Sequence, residues 1–161
     1  MMAGTIPKAT VEDLRTANKT LRFAKETQQV TMKFPSIVGA NYGFIALSDA
    51  AWGTPLDGSS QGGYLVLAVP VNAFKDEAFE YAIVDWRSWK LKRVSRSSLD
   101  AETQAAATAT DALEFTQTFF HLMRFPETPV KEAASKAGRP SCLVVDAKSL
   151  YDAVRKEAPV E

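Results

Sequence analysis

The hydrophobic positions of this chain form four short apolar runs, and each run has the length and composition of a β-strand. The second run is almost entirely apolar, which predicts a central strand that is covered on both faces. A polar connection separates the second run from the third. The runs cover residues 42–49, 64–71, 81–94 and 142–146.

Apolar residues at helical spacing predict four helices around these strands. Thr10 supplies a hydroxyl cap for the first helix, and acids follow it in the first turn. Ser97 or Ser98 can cap the longest helix, whose interior is rich in Ala, the best helix former. The helices are expected at 10–25, 98–123, 130–136 and 149–157.

This order of elements predicts an α/β fold that contains a mixed sheet. Three strands joined by short connections form an antiparallel meander. The long helix before the fourth strand allows a crossover, which places that strand parallel to a member of the meander. Residues 1–40 are expected to form an N-terminal helix and linker, and residues 41–161 the sheet domain with helices packed on it.

Composition narrows the class of protein and its surroundings. The chain has 161 residues, of which 46% are hydrophobic and 24% are charged, as in a soluble globular domain. The formal net charge is zero, so any attraction to nucleic acid must come from a local patch. No signal peptide or membrane-length apolar stretch occurs, so we expect no membrane partner and a location in the cytoplasm or nucleus.

Three acidic residues stand at the ends of apolar elements, where a bare carboxylate is costly. Asp49 ends the first run, Asp146 ends the fourth, and Glu102 opens the apolar stripe of the longest helix. Asp100 and Asp111 align less well with that stripe. At spacings of three, four and seven residues and onward, the stripe continues through Ala105, Ala106, Ala109, Leu113, Phe120 and Met123.

These three acids predict a metal centre if the fourth strand lies beside the first and parallel to it. Asp49 and Asp146 are then neighbours, and the start of the long helix leans Glu102 over both. Three hard oxygen ligands suit Mg²⁺ or Mn²⁺ rather than zinc. Two such ions about 4 Å apart can activate water and stabilise a leaving oxygen, as in a nuclease.

Each acid also has a simpler interpretation. Asp49 can be a turn residue after a strand, Glu102 can serve only the N-terminus of its helix, and Asp146 can cap the helix that follows it. The residue pattern alone leaves both interpretations open.

A cluster of basic residues lies along the end of the third predicted strand and the segment that leads to the long helix. No acid occurs between Asp85 and Asp100, and Trp86 and Trp89 are interleaved with the basic residues. Such a patch is typical of a phosphate-binding surface. The alternative is a solvated edge strand whose basic residues deter aggregation. The candidates for nucleic-acid binding are Lys90, Lys92, Arg93 and Arg96, and Arg87 belongs to the same patch.

Six local strings, in the same order along nearly the whole chain, resemble one known family. They are LRTANKTLRF at 14–23, SDAAWG at 48–53, SQGGY at 60–64, WRSWK at 86–90, VSRSSLDAE at 94–102 and VDAKSL at 145–150. The last five are similar to the "SDADWAG", "STSGY", "ISWSSKK", "VSRSSTEAE" and "CDNQSA" strings of the RNase H domain in copia-type retrotransposon polyproteins. The first resembles the helix that joins reverse transcriptase to RNase H in that family.

The resemblance implies a ribonuclease H-like fold and cleavage of the RNA strand of an RNA–DNA hybrid. It carries three of that family's four metal-site acids onto Asp49, Glu102 and Asp146. It also implies Mg²⁺ or Mn²⁺ as cofactor, with two ions, and the hybrid as partner. An A-like hybrid is recognised mostly by its shape, phosphates and 2′-hydroxyls, so a generic basic patch is sufficient.

The chain departs from the family pattern at several places. Ala147 stands where Asn is usual, Thr103 where an aromatic residue is common, and the connection at 72–80 is longer. The family's fourth acid and last strand would follow Glu161, so we expect the domain to lack that strand. Three further acids occur near the end of the chain, but none falls in the motif expected for the fourth acid. They are Asp152, Glu157 and Glu161.

Two alternatives to an active enzyme follow from these departures. A polymerase domain can be a partner of the chain, or a partner polypeptide can supply the missing strand. Otherwise the chain is a degenerate, inactive retrotransposon remnant that retains at most nucleic-acid binding. An integrase-like strand transferase is a third class, which the SDAAWG and VSRSSLDAE strings disfavour.

Overall fold

The computed structural model of the chain describes residues 10–35, 41–53, 58–75 and 78–157. The chain divides into two compact units, Met1–Lys33 and Phe34–Glu161. The predicted boundary at residue 40 stays a prediction, because 36–40 lie outside the described residues.

In the first unit, helix α1 spans Val11–Glu26 as predicted. A capping box begins it: the Thr10 hydroxyl accepts a hydrogen bond from the Asp13 N–H, and the Asp13 carboxylate accepts one from the Thr10 N–H at 2.8 Å. No residue of α1 is buried, so its apolar stripe, which includes Leu14 and Leu21, is exposed.

The second unit is built on one mixed sheet of four strands, in the order β3-β2-β1-β4. The first three strands form an antiparallel meander, and β4 pairs in parallel with β1. This confirms the predicted α/β fold class and its ribonuclease H-like arrangement. The strands are β1 Tyr42–Ala51, β2 Gln61–Pro70, β3 Ala82–Lys90 and β4 Ser141–Val145.

Helices α2, α3 and α4 lie within 1–2 residues of their predicted ranges. They span Ser98–Arg124, Val130–Lys136 and Lys148–Glu157. The connection at 72–80 was predicted as a polar connection, and a short 3₁₀ helix occupies Val71–Lys75 at its start. Its Ala73 is buried against Ile45 and Val69 of the sheet, so burial of apolar side chains orders this segment.

The core lies between α2 and one face of the sheet. Phe44 and Val66 of the sheet are fully buried and pack with Ala109 and Leu113 of α2. The predicted stripe is correct as far as Phe120, which packs against this cluster. Met123, in the last turn of α2, is the exception, with an exposed fraction of 67%.

Two strand predictions need correction. Strand β3 ends at Lys90 rather than Val94, because its partner β2 begins at Gln61. One further backbone hydrogen bond, from the Leu91 N–H to the Ser60 carbonyl at 2.8 Å, follows the last pair. Strand β2 is not covered on both faces along its whole length. Leu65 has an exposed fraction of 37%, and it lies on the sheet face opposite α2, next to the exposed Trp86 of β3.

The first strand meets the start of β4 at Gly43. The Phe44 N–H donates a hydrogen bond to the Pro140 carbonyl at 2.9 Å. A Cβ atom at Gly43 would collide with that carbonyl and with the Phe74 ring, so only glycine allows this approach. The contact sets the start of the parallel pairing. Separately, none of the helices in the described parts of the chain has the length and apolar character that a membrane span needs.

Candidate metal centre

The three acids predicted from the sequence meet at one end of the sheet. Ser48 and Val145 are the last partners in the β1–β4 ladder, so Asp49 and Asp146 follow directly on neighbouring strands. Glu102 reaches them from the start of α2. One carboxylate oxygen from each residue lies within 4.8 Å of the other two, which is close enough for the three to share a cation.

Hydrogen bonds hold the start of α2 over the end of β1. The Ser97 hydroxyl caps the helix by accepting from the Asp100 N–H at 3.1 Å. The Trp52 indole N–H, just after β1, donates to the Ser95 carbonyl at 3.0 Å. The Gln104 amide donates to the Ser95 hydroxyl at 3.2 Å. The segment before α2 is thereby tied both to β1 and to the helix itself.

Asp100 lies in the first turn of α2, but it belongs to this capping network rather than to the acid cluster. Its carboxylate accepts from the Arg96 N–H at 3.0 Å and from the Gln104 amide at 3.2 Å. The helical count that favoured Glu102 over Asp100 therefore agrees with their placement. His121, far along α2, contacts Thr128 and the Phe125 ring and takes no part in the cluster.

Glu102 has the most unusual electrostatic environment among the three acids. Its exposed fraction is only 8%, and its Oε2 atom has no hydrogen-bond partner. Burial raises the pKa of Glu102, and the nearby Asp49 and Asp146 carboxylates raise it further. A hydrogen bond from the Ala50 N–H acts in the opposite direction.

This environment fits a divalent cation. The cation would offset the mutual repulsion of three carboxylates, and a carboxylate oxygen with no hydrogen-bond partner is a suitable ligand. All the donors are oxygens, which matches the preference of Mg²⁺ or Mn²⁺. The cluster can therefore bind a metal, as the sequence predicted.

A basic groove of about 350 Å³ lies on the β3 side of α2. The Arg87 guanidinium lies over the Trp89 ring, 5.5 Å from its centre. Lys92 and Arg93 line the groove, whereas Lys90 and Arg96 are exposed outside it. The full lining is Arg87, Trp89, Leu91, Lys92, Arg93, Gln104, Ala107 and Thr108.

The sheet register relates this groove to the acids. Asp49 pairs with Gly63, which pairs with Ser88, so Ser88 lies two strands away from Asp49. Two strand spacings correspond to about 10 Å. Arg87 and Trp89 flank Ser88 and point their side chains into the groove. The basic groove and the acid cluster therefore lie on the same end of the domain.

The sequence interpretation missed Gln104 and Thr108 as lining residues. Both lie on α2 between buried positions, and their polar character on an Ala-rich helix was the available signal. It could not be used without knowing that β3 packs along that side of the helix. The Ala50 N–H was also missed, because a backbone donor carries no residue-type signature.

Comparisons with protein-family models, with curated proteins and with solved structures find no match for this chain.

Proposed function

We propose that this chain is a metal-dependent nuclease that cleaves the RNA strand of an RNA–DNA hybrid. The observation that carries the proposal is the convergence of Asp49, Glu102 and Asp146, from three separate elements, within 4.8 Å. Independent acids on a protein surface repel one another and gain nothing by converging. A shared divalent cation gives this arrangement a physical reason.

The sequence strings add support from a different direction. Three of the strings that resemble copia-type RNase H domains each contain one of the acids: SDAAWG contains Asp49, VSRSSLDAE ends on Glu102, and VDAKSL contains Asp146. These strings are far apart in the chain, yet their acids meet in space. A chance likeness of short strings would not require that meeting.

Each acid has a distinct part in the proposed reaction. Asp49 and Asp146 are exposed and offer carboxylates that both the cation and the substrate phosphate can reach. Glu102 is buried and anchors the cation from the helix side. When bound, the cation supplies an activated water and stabilises the leaving oxygen of phosphodiester hydrolysis.

The basic groove provides the proposed contact with the nucleic-acid backbone. Arg87, Lys92 and Arg93 bring three cations to a chain whose net charge is zero. Ser88, which lies between the groove residues Arg87 and Trp89, is two strand spacings, about 10 Å, from Asp49. A strand bound at the acids thus extends past these cations.

A second candidate function is nucleic-acid binding without cleavage, in an inactive remnant. One observation favours it: among the residues that the structure describes, the cluster contains three acids, whereas the family resemblance implies four. Asp152 lies in α4 and is not in the cluster, and Glu161 lies outside the described residues. If the chain is a nuclease, a polypeptide that supplies a further strand would complete the site. If it is an inactive remnant, such a polypeptide would not restore the site.

The two candidates are separated by incubating the protein with a labelled RNA–DNA hybrid in Mg²⁺ or Mn²⁺. We expect cleavage of the RNA strand by the wild type and a loss of about 100-fold or more in Asp49→Asn. Asp111→Asn is the matched control, because Asp111 is an exposed acid on α2 outside the cluster. It should cleave like the wild type.

Binding of the hybrid without cleavage, at any enzyme concentration and with either metal, would reject the nuclease and favour the remnant. Cleavage that is equal in the wild type and Asp49→Asn would indicate a contaminating enzyme and reject the assigned site.

A further inference from the structure

A second buried polar group without a partner lies beside the acid cluster. The Ser48 hydroxyl has no hydrogen-bond partner, and the exposed fraction of Ser48 is only 6%. Burying such a group without a partner is unfavourable, so the strand does not gain stability from it. In the described part of the chain, the buried side-chain atoms without a partner are the Ser48 hydroxyl and Glu102 Oε2.

The sheet geometry places the Ser48 side chain on the face that α2 covers. Alternate residues of a strand share a face, and Phe44 and Ala46 pack against Ala109 and Leu113 of α2. Ser48 and Ala50 continue that row as α2 runs back toward its start. The Ala50 N–H already bonds to Glu102, so Ser48 lies under the turn of α2 that follows Glu102.

Ser48 is also next in sequence to Asp49 and is the partner of Val145, the residue before Asp146. Its side chain lies on the face that α2 covers, the side from which Glu102 reaches the cluster, and Asp49 and Asp146 follow one residue later at the ends of the two strands. Buried hydroxyls elsewhere in the described residues have partners: the Ser60 hydroxyl accepts from the Gly53 N–H, and the Thr116 hydroxyl donates to the Ala112 carbonyl. Ser48 differs from them only in its place beside the acids.

We propose that Ser48 is a positioning residue of the metal centre, whose hydroxyl hydrogen-bonds to the hydrated cation held by Asp49, Glu102 and Asp146. This inference rests on the proposed metal site. A Mg²⁺ or Mn²⁺ ion retains several waters when carboxylates bind it. Those waters need partners in the protein, and the Ser48 hydroxyl is buried, has no partner, and lies on the α2 face one residue before the end of the β1–β4 ladder. Groups of this kind orient the ligands and tune affinity.

Direct metal binding by Ser48→Ala tests the proposal without any measurement of cleavage. Mn²⁺ affinity is followed by electron paramagnetic resonance of the free ion and by calorimetry. We expect a dissociation constant at least threefold higher in Ser48→Ala than in the wild type. We also expect the metal-free variant to unfold at the same temperature or higher, because it loses an unpaired hydroxyl.

Ser60→Ala is the matched control, since Ser60 is an equally buried serine whose hydroxyl has a partner. It should lower the unfolding temperature and leave Mn²⁺ affinity unchanged. A purely structural role for Ser48 predicts the same behaviour as Ser60, with lower stability and unchanged affinity. Circular dichroism verifies that each variant is folded before titration.

An unchanged Mn²⁺ affinity in folded Ser48→Ala would overturn the role of Ser48 while leaving the metal site in place. Absence of saturable Mn²⁺ binding by the wild type would overturn both this role and the metal site. Metal binding without hybrid cleavage would reject the nuclease activity alone, and the comparison of Ser48→Ala with the wild type would still decide the role of Ser48.

Discussion

Glu102 shows that one residue can be unfavourable for folding and still be suited to a metal site. In the absence of a cation, its carboxylate is buried near two other acids and one of its oxygens has no hydrogen-bond partner. The helix and the strand hold it there regardless, because the neighbouring Ala101, Ala105 and Ala106 are buried against the sheet. The cost is local, and bound metal would relieve it.

The pH dependence of stability follows from the direction of this pKa shift. Because the pKa of Glu102 is raised above its ordinary 4.5 in the folded state, the folded protein binds more protons than the unfolded chain between the two values. The free-energy cost of holding the ionised Glu102 carboxylate in the folded protein is therefore fully present above the folded-state pKa of Glu102. It disappears as the pH falls below about 4.5.

We expect metal-free Glu102→Gln to have a higher unfolding temperature than the wild type at pH 7, and the difference to vanish near pH 4. Thermal unfolding in a chelator between pH 4 and 8 measures this. Glu114→Gln, an exposed acid on α2, should show no pH-dependent difference from the wild type. Equal unfolding temperatures for Glu102→Gln and the wild type at pH 7 would contradict the expected penalty.

The parallel pairing of β4 with β1 is the element-level feature on which the site depends. It is short, from Phe44 opposite Ser141 to Ser48 opposite Val145, and it places Asp49 beside Asp146. A slip of one residue would turn every side chain of β4 to the other face and separate the two acids. The approach of Gly43 to the Pro140 carbonyl holds the start of this register.

Gly43→Ala tests the importance of that approach. The added Cβ collides with the Pro140 carbonyl and the Phe74 ring, so the backbone must shift, and we expect a loss of about 1–3 kcal/mol in the free energy of unfolding. Chemical denaturation measures it. Gly138→Ala is the control, because a Cβ there meets nothing within 4 Å, and its stability should stay within about 1 kcal/mol of the wild type. Equal stability of the two variants would contradict the proposed constraint.

At the scale of the whole molecule, charge is balanced overall but concentrated locally. The chain carries 19 basic and 19 acidic side chains, so no net field attracts nucleic acid. Binding must then depend on the groove, where Arg87, Lys92 and Arg93 are brought together by β3 and α2. A local patch of this kind acts within about 10 Å at moderate salt.

The salt dependence of hybrid binding distinguishes binding in this groove from a general effect of the charges on the chain. For a hybrid in the presence of a chelator, we expect Lys92→Ala and Arg93→Ala each to weaken binding and to reduce the slope of log affinity against log salt by about one. Fluorescence anisotropy of a labelled hybrid at several salt concentrations gives that slope. Lys131→Ala, an exposed lysine of α3 outside the groove, makes the same change in net charge and should leave the slope unaltered. If all three substitutions had an equal effect on the slope, the groove would be rejected as the binding surface.

The sequence alone determined the elements and their order, because helix caps, alanine content and apolar runs act locally. Thr10 and Ser97 cap their helices as predicted, and the stripe from Glu102 to Phe120 faces the sheet. The candidate acids were also accessible, since a carboxylate at the end of an apolar run is conspicuous. The exposure of Met123 and the end of β3 were not accessible, because they depend on what packs against the last turn of a helix and on where a partner strand begins.

Only the tertiary structure decided which of these residues meet. The three acids lie within 4.8 Å because β4 pairs with β1, which places Asp49 and Asp146 beside each other near Glu102. This pairing joins residues about a hundred positions apart in the chain. The chain leaves the sheet after Lys90, where β3 ends. For this reason Lys92 and Arg93 share the groove, whereas Lys90 and Arg96 do not line it. The unpaired hydroxyl of Ser48 is visible only after α2 covers it, because burial is a property of the packed fold.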